Sequence, residues 1–189
     1  MIVLNFIGPQ GCGKGVQSRC IVERVENVKV IGMGDELRSR MKDDEGIREE
    51  MRNNGNLCSD TTILRIFEEE FRKKVDASVL ILDGCTRTKD QIVSIYNLLH
   101  SERCRIITVF FDLPRNISEG RLKDRLIEEK REDDGSEDSI RNRLNGYYSN
   151  IDAIRQCIGP NDSITIDASQ SPKYITDLIL EAMCACSTA

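Results

Sequence analysis

GPQGCGKGVQS (8–18) decides how this chain is read. It follows the apolar run IVLNFI (2–7) and leads into residues that suit a helix, so it is a turn between a strand and a helix. Glycines at 8, 11 and 13 let backbone N–H groups turn inward on an anion. A helix beginning near Lys14 adds its positive end, and Lys14 adds a full charge for the outer phosphates of a nucleotide. The bland alternative is a glycine-rich turn with a surface lysine. The spacing and the strand–turn–helix context favour the phosphate loop GxxxxGK. The common form of that loop places a serine or threonine after the lysine, to help hold magnesium, whereas Gly15 and Val16 follow here.

The rest of the chain continues that rhythm. VKVI (28–31), SVLIL (78–82), RIITVFF (105–111) and SITID (163–167) are further short runs rich in Val, Ile and Phe. Several are continuous rather than alternating, as expected for strands buried on both faces of a parallel sheet. Between them lie helical patterns. Ile92, Ile95, Tyr96 and Leu99 share one face, as do Ile140, Leu144, Tyr147, Tyr148, Ile151 and Ile154 over 138–156. Ile175, Leu178, Ile179, Ala182 and Met183 form another stripe, with Ser171 as cap and Pro172 at the first helical position. Strand and helix in alternation predict a doubly wound α/β fold with a five-stranded parallel sheet, as a single domain over 1–189. Two stretches break the rhythm: a mostly helical insert at 34–74 and a short polar segment at 128–138.

Composition narrows the function classes. The chain has 189 residues, 39% hydrophobic and 31% charged, with a formal net charge of −5. General nucleic-acid binding is therefore not expected, and any anionic ligand must be held by locally placed cations. No run is long and apolar enough to span a membrane, and MIVLNFIG (1–8) reads as a strand rather than a signal peptide. The eight cysteines include no CxxC pair, so they are expected to be reduced cytosolic thiols rather than zinc ligands. His100 has no partner at ligand spacing, and a solvent-facing position is expected.

Two more stretches carry chemistry. In LILDGCTRTKDQ (80–91) a strand ends in Asp83, where an acid beside a phosphate loop can hold magnesium directly or through water. Arg87 can grip a phosphate with two parallel hydrogen bonds. Gln91 has two readings: a ligand-facing amide, or the far end of a Thr88-x-x-Gln91 capping box. From Arg121 to Arg143 basic and acidic residues mix almost evenly, and periodicity alone does not separate working arginines from a solvated face.

Together and in this order, these residues resemble the nucleoside monophosphate kinases, the adenylate kinases most closely, over nearly the whole chain. That family's loop usually reads GxPGxGKGTQ, so Gly15 is ordinary there and Val16, in place of threonine, is the departure. MGDELR (33–38) resembles TGD-x-LR, with Met33 for threonine and Arg38 matching an arginine on the acceptor phosphate. DGCTRTKDQ (83–91) resembles DGFPRT-x-x-Q, with Cys85 and Thr86 replacing an aromatic and a proline. Arg87 then matches a second acceptor-phosphate arginine, and Gln91 the glutamine that reads adenine. GNLCSD (55–60) resembles G-x-L-V-P-D without its valine and proline.

The resemblance implies reversible transfer of the ATP γ-phosphoryl group to AMP, giving two ADP, with Mg2+ as cofactor. It puts ATP on Gly11, Cys12, Gly13, Lys14, Gly15 and Val16, with Arg125 stacked on adenine and Gln170 nearby. It puts AMP on Met33, Arg38, Asn56, Leu57, Cys58, Gly84, Cys85, Thr86, Arg87 and Gln91, with Arg131 and Arg143 around the transferring group. Lys14, Arg38, Arg87, Arg131 and Arg143 are the implied catalytic cations, Asp83 the acid that holds magnesium through water, and Asp133 and Asp134 the acids that orient the lid arginines. The segment 128–138 matches a lid that is unusually short, with an acid where one lid arginine usually stands. Such a lid is expected to cover the donor less completely. A UMP/CMP kinase and a weakly active or silent nucleotide-binding relative are the alternatives. A cytoplasmic monomer is expected.

Overall fold

In a computed structural model of the chain, residues 1–53, 58–129, 137–159 and 162–187 are described. Five strands, β1 (Ile2–Ile7), β2 (Val28–Gly32), β3 (Val79–Asp83), β4 (Arg105–Asp112) and β5 (Ser163–Asp167), form one sheet in the order β2-β3-β1-β4-β5. Every pairing is parallel, with Leu4 opposite Ile81 on one side and Ile107 on the other. The continuous apolar runs are explained by this burial. Val3, Leu4, Leu80, Ile81 and Leu82 are all fully buried because both faces of the sheet are covered.

Two apolar layers do the covering. On one face Leu4, Phe6 and Ile81 pack against Ile21 of α1 (Lys14–Val22) and Ile175 and Ile179 of α8 (Pro172–Ser187). On the other face Val3, Leu80 and Leu82 pack against Ile63, Ile66 and Phe67 of α4 (Asp60–Arg72) and Ile95 and Leu99 of α5 (Lys89–Ser101). The region read as an insert contains, among the described residues, α2 (Met33–Arg40), α3 (Glu45–Asn53) and α4. Its apolar side chains Leu37, Ile47 and Met51 join the same layer. Two further helices, α6 (Arg115–Glu129) and α7 (Glu137–Gln156), complete the described elements.

Local chemistry sets several helix starts. Ser171 Oγ accepts from Tyr174 N at 3.3 Å, as expected from its place before Pro172. Thr88 Oγ1 accepts from Gln91 N at 3.2 Å and caps α5. The reciprocal bond of a capping box is displaced by one residue, because Gln91 Oε1 accepts from Arg87 N at 2.7 Å.

One ion-pair cluster ties α2 to α4. Arg40 of α2 donates to Glu69 at 2.5 Å and to Glu70 at 3.2 Å, and Lys73 and Lys74 also bond Glu70. The Glu70 side chain is only 7% exposed. Burial alone would raise its pKa, but the bonds from Lys73 and Lys74 outweigh it and bring the carboxyl from 4.5 to about 2. A lowered folded-state pKa means stability that is present above the unfolded value and lost as pH falls through the folded one. Glu70→Gln is therefore expected to cost about 2 kcal/mol at pH 7 and progressively less as pH drops from about 4.5 towards 2. Urea unfolding of both proteins at pH 7 and pH 3 measures this. An equal gap at both values would mean the charge is not the cause.

The connections position the site. The chain leaves β1 through α1 towards β2, and leaves the neighbouring β3 through α5 towards β4, on the opposite side. Loops diverging from adjacent strand ends open a crevice, the usual ligand position in an open α/β sheet.

Candidate active site

A cleft of about 730 Å³ occupies that crevice, well within the range for small-molecule pockets. Its floor is the glycine loop. Gly11 and Gly13 have φ of 83° and 97°, a left-handed conformation open mainly to glycine. Gly8 is needed for a different reason: a β-carbon there would stand 2.7 Å from Cys12 Sγ and from Phe111 Cβ. This also explains why the Cys12 side chain is buried at 2% exposure beneath the loop rather than lining the cleft. Lys14 Nζ donates to the carbonyls of Gly8 at 2.8 Å and Pro9 at 3.0 Å. The ammonium is thus folded back over its own loop, with Gly11, Gly13, Gly15 and Val16 beside it on the cleft wall.

Three arginines from three elements share the cleft. Arg38 comes from α2, Arg87 from the turn between β3 and α5, and Arg143 from α7. Arg38 pairs with Asp35 at 2.5 Å. Arg87 Nε donates to the Gly84 carbonyl at 3.1 Å, across a turn in which Gly84 has φ of 74°. Burial pulls the Arg87 pKa below its ordinary value, and the like charges of Arg143 and Arg38 act in the same direction, against Asp83. A buried cation beside like charges at a cavity is placed to take an anion that arrives from outside.

Gly84 and Thr86 also line the cleft, and Thr86 Oγ1 donates to Asn5 Oδ1 at 2.9 Å. Asn5, fully buried in β1, donates in turn to Tyr96 Oη at 2.9 Å, which meets Thr108 Oγ1 at 2.6 Å. This buried chain holds the turn before Arg87. The predicted contacts Met33 and Cys85 are placed differently. Both are fully buried in the apolar layer, and Cys85 Sγ faces the Ile31 carbonyl at 3.4 Å. Only their backbones remain near the cleft-lining Gly32, Gly34 and Gly84. Cys58 does line the cleft; burial, with Glu50 adding, pushes its thiol up to about 11. That thiol is a packing surface rather than a nucleophile.

At the far wall Arg121 and Arg125, one turn apart on α6, both line the cleft. Arg121 Nη1 donates to the carbonyls of Gly11 and Ala168, each at 3.3 Å. Sequence reasoning singles out Arg125 and leaves Arg121 within a charged face, although i,i+4 spacing puts the two on one side of the helix. Arg19 of α1 is a further cleft residue that the sequence does not flag, and Asp60 of α4, flagged only as the end of GNLCSD, lines the cleft too. Gln170 is not brought to the cleft: its amide donates to Asp167 Oδ2 at 2.8 Å, in a turn where Ser169 holds the other oxygen. Asn56, Leu57, Arg131, Asp133, Asp134 and most of 128–138 lie outside the described residues.

A divalent cation fits this donor set in one way. Asp83, at the end of β3, places Oδ2 3.8 Å from the point where a β-carbon on Gly15 would stand. Among the described residues no group of three or more His, Cys, Asp or Glu side chains gathers to hold a metal. One hard carboxylate beside a phosphate loop suits Mg2+ held chiefly by phosphates and water. Among the described residues, no helix is long and apolar enough to cross a membrane.

Known proteins match this sequence. A family model described as adenylate kinase matches residues 6–157. An adenylate kinase of Trichodesmium erythraeum (strain IMS101) is 31% identical over 185 residues, covering 95% of this chain and 96% of the relative. One from Maricaulis maris (strain MCS10) is 37% identical over 148 residues, covering 76% of this chain and 77% of the relative. One from Leptospira biflexa serovar Patoc (strain Patoc 1 / Ames) is 33% identical over 150 residues, 76% of this chain and 78% of the relative.

Proposed function

Because the chain belongs to the adenylate kinase family, and is a phosphotransferase of the nucleoside monophosphate kinase kind, we propose that it transfers the γ-phosphoryl group of ATP reversibly to AMP, giving two ADP. The observation that carries this reading is the convergence of Arg38, Arg87 and Arg143 on a cleft floored by a lysine-bearing phosphate loop. One polyanion on the loop would leave these three arginines to a second, so two phosphate-bearing substrates account for Lys14 and for all three.

An oxygen of the acceptor phosphate attacks the γ-phosphorus in line. The new P–O bond forms as the bond to the β-phosphate oxygen breaks, and the electron pair stays on the departing diphosphate. The acceptor is already ionised at neutral pH, so no side chain need take a proton. Lys14 leaves the carbonyls of Gly8 and Pro9 for the donor phosphates. Arg38 and Arg87 hold the acceptor phosphate, and Arg143, with Arg131, surrounds the moving group. Catalysis is then positioning and charge compensation. Asp83 would order waters that help hold Mg2+ on the donor phosphates, and the bound ion would supply charge neutralisation there. Arg121 and Arg125 face the donor from α6, Arg121 lying nearer Ala168.

In this reading 1–189 is one kinase domain, in which 34–74 closes over the acceptor and 128–138 over the donor, excluding water. A monomer suffices, since one chain carries both halves of the site. Its thiols suit the cytosol.

Val16 is the loop position to test first. It faces the cleft at 36% exposure, where a hydroxyl would meet the donor. Val16→Thr is expected to tighten Mg-ATP binding by about 1 kcal/mol, roughly fivefold. Titration calorimetry measures it, and unchanged affinity would show that the loop does not use that hydroxyl.

The acceptor is tested by offering Mg-ATP with AMP, dAMP, CMP, UMP and GMP in turn and following ADP. Turnover with AMP far above the pyrimidine monophosphates supports the reading. Turnover with CMP and UMP instead moves the chain to a pyrimidine acceptor. No turnover with any, alongside tight binding of a linked bisubstrate analogue, means a nucleotide-binding relative without catalysis.

A further inference from the structure

Asp60 is the first residue of α4, and both oxygens of its half-buried carboxylate are hydrogen-bonded. One oxygen accepts from Gln91 Nε2 at 2.7 Å and the other from Thr88 Oγ1 at 3.0 Å. Both partners belong to the start of α5, so a helix of the insert is clasped to the helix behind the acceptor arginines. Gln91 is 4% exposed, and its other end is also committed, because Oε1 accepts from Arg87 N at 2.7 Å. Asp60, Thr88, Arg87 and Gln91 all line the cleft.

A carboxamide has two N–H donors and an oxygen with two lone pairs. Once Asp60 takes one N–H and Arg87 N takes one lone pair, a single donor and a single acceptor site remain on a side chain that lines the cleft. Their order is locked. Turning the amide over would set Oε1 against the Asp60 carboxylate and Nε2 against the Arg87 N–H, a repulsive contact at each end. The order matters to a base. Adenine and cytosine present an amino donor beside a ring-nitrogen acceptor; hypoxanthine, guanine and uracil present a carbonyl acceptor beside a ring N–H. An amide free to turn serves either edge, and a locked amide serves one.

We propose that Asp60 is a positioning residue that fixes the orientation of the Gln91 carboxamide and so makes the acceptor site choose amino-bearing over oxo-bearing bases. This rests on the acceptor reading above and adds to it a residue and a rule of selection. The rule is sharper than size: AMP and IMP differ only along the edge in question.

The test compares kcat/KM for AMP and IMP, with Mg-ATP as donor, in the wild type, Asp60→Asn and Asp60→Glu. In Asp60→Asn the new side-chain amide can donate as well as accept, so it tolerates either orientation of Gln91, and only Arg87 N still resists the turn. The AMP-to-IMP ratio is expected to fall about tenfold in Asp60→Asn, the equivalent of losing one such polar contact. The KM for the acceptor is expected to rise while that for Mg-ATP stays put, and Asp60→Glu is expected to restore much of the ratio. An unchanged ratio in Asp60→Asn overturns the proposal, as does a parallel rise in both KM values with a lowered Tm, which is the mark of a merely structural clasp. A wild type that uses CMP or UMP in place of AMP overturns the acceptor reading instead, and the proposal is then judged on the CMP-to-UMP ratio.

A second measurement needs no variant. In a 15N–1H correlation spectrum of the wild type, one Gln91 side-chain N–H is expected to be shifted downfield and protected from exchange by the carboxylate. Two ordinary, rapidly exchanging Gln91 amide protons would contradict a locked amide.

Discussion

Lys14→Met is expected to lower kcat by about 10²–10³, or 3–4 kcal/mol of transition-state stabilisation. The side chain keeps most of its volume, so the loop is expected to keep its shape while the charge is lost. The present contacts of Lys14 explain why the effect falls on kcat more than on folding. Its ammonium is held by the Gly8 and Pro9 carbonyls at 2.8 and 3.0 Å, and Gly8 lines the cleft, where a methionine leaves its carbonyl to water. When donor phosphates arrive, the ammonium exchanges neutral carbonyls for charged oxygens. The gain is largest where negative charge moves most, which is in the transition state. Steady-state kinetics with saturating AMP, together with the Tm, measures this. A fall in kcat below tenfold with an unchanged Tm would remove Lys14 from the chemistry and leave it a structural brace of the loop.

Arg87→Ala is the second large effect, and it divides the substrates. The acceptor's kcat/KM is expected to drop about 10²–10³, with the KM for Mg-ATP moving less than about threefold. Arg87 is tied to backbone and amide rather than to a carboxylate: Nε donates to the Gly84 carbonyl and N to Gln91 Oε1. Burial and the like charges of Arg143 and Arg38 all oppose its charged form. Removing it therefore costs little folding energy, within about 1 kcal/mol, because relief of burial and repulsion offsets the lost bond and the lost attraction of Asp83. Arg87→Lys separates charge from shape. Lysine keeps the charge but not the planar fork, so an intermediate loss is expected. Equal losses for both substrates in Arg87→Ala would assign the arginine to general packing of the cleft.

Much of the fold is legible in the sequence because its signals are local. The five strands stand out as apolar runs, since a parallel sheet covered on both faces demands continuous burial, and each lies within about a residue of its expected bounds. The glycine loop is legible for the same reason: its function is a backbone shape, written in the spacing of Gly8, Gly11 and Gly13.

The site beyond the loop is less legible, because side-chain direction depends on turns that the sequence does not spell out. Met33 and Cys85 stand in motifs for which the resemblance implies nucleotide contact, yet both face the core. Gly84, at φ of 74°, reverses the chain and sends Cys85 inward while Thr86 and Arg87 meet the cleft. Arg121 hides among alternating charges, where only packing of α6 against the Gly11 carbonyl distinguishes it. Gln91 has two competing readings, and geometry lets both stand. Its backbone N–H takes the Thr88 cap while its amide spans Asp60 and Arg87. Asp60 is legible only as part of a motif, because its two partners lie 28 and 31 residues away.

The central claim is phosphoryl transfer between two adenine nucleotides held by one chain, and ADP alone tests it most directly. With Mg2+ and ADP as the only nucleotide, 31P NMR is expected to show ATP and AMP appearing in equal amounts until the reaction balances, with no inorganic phosphate. ADP that stays unchanged, or that yields phosphate without ATP, would contradict the account.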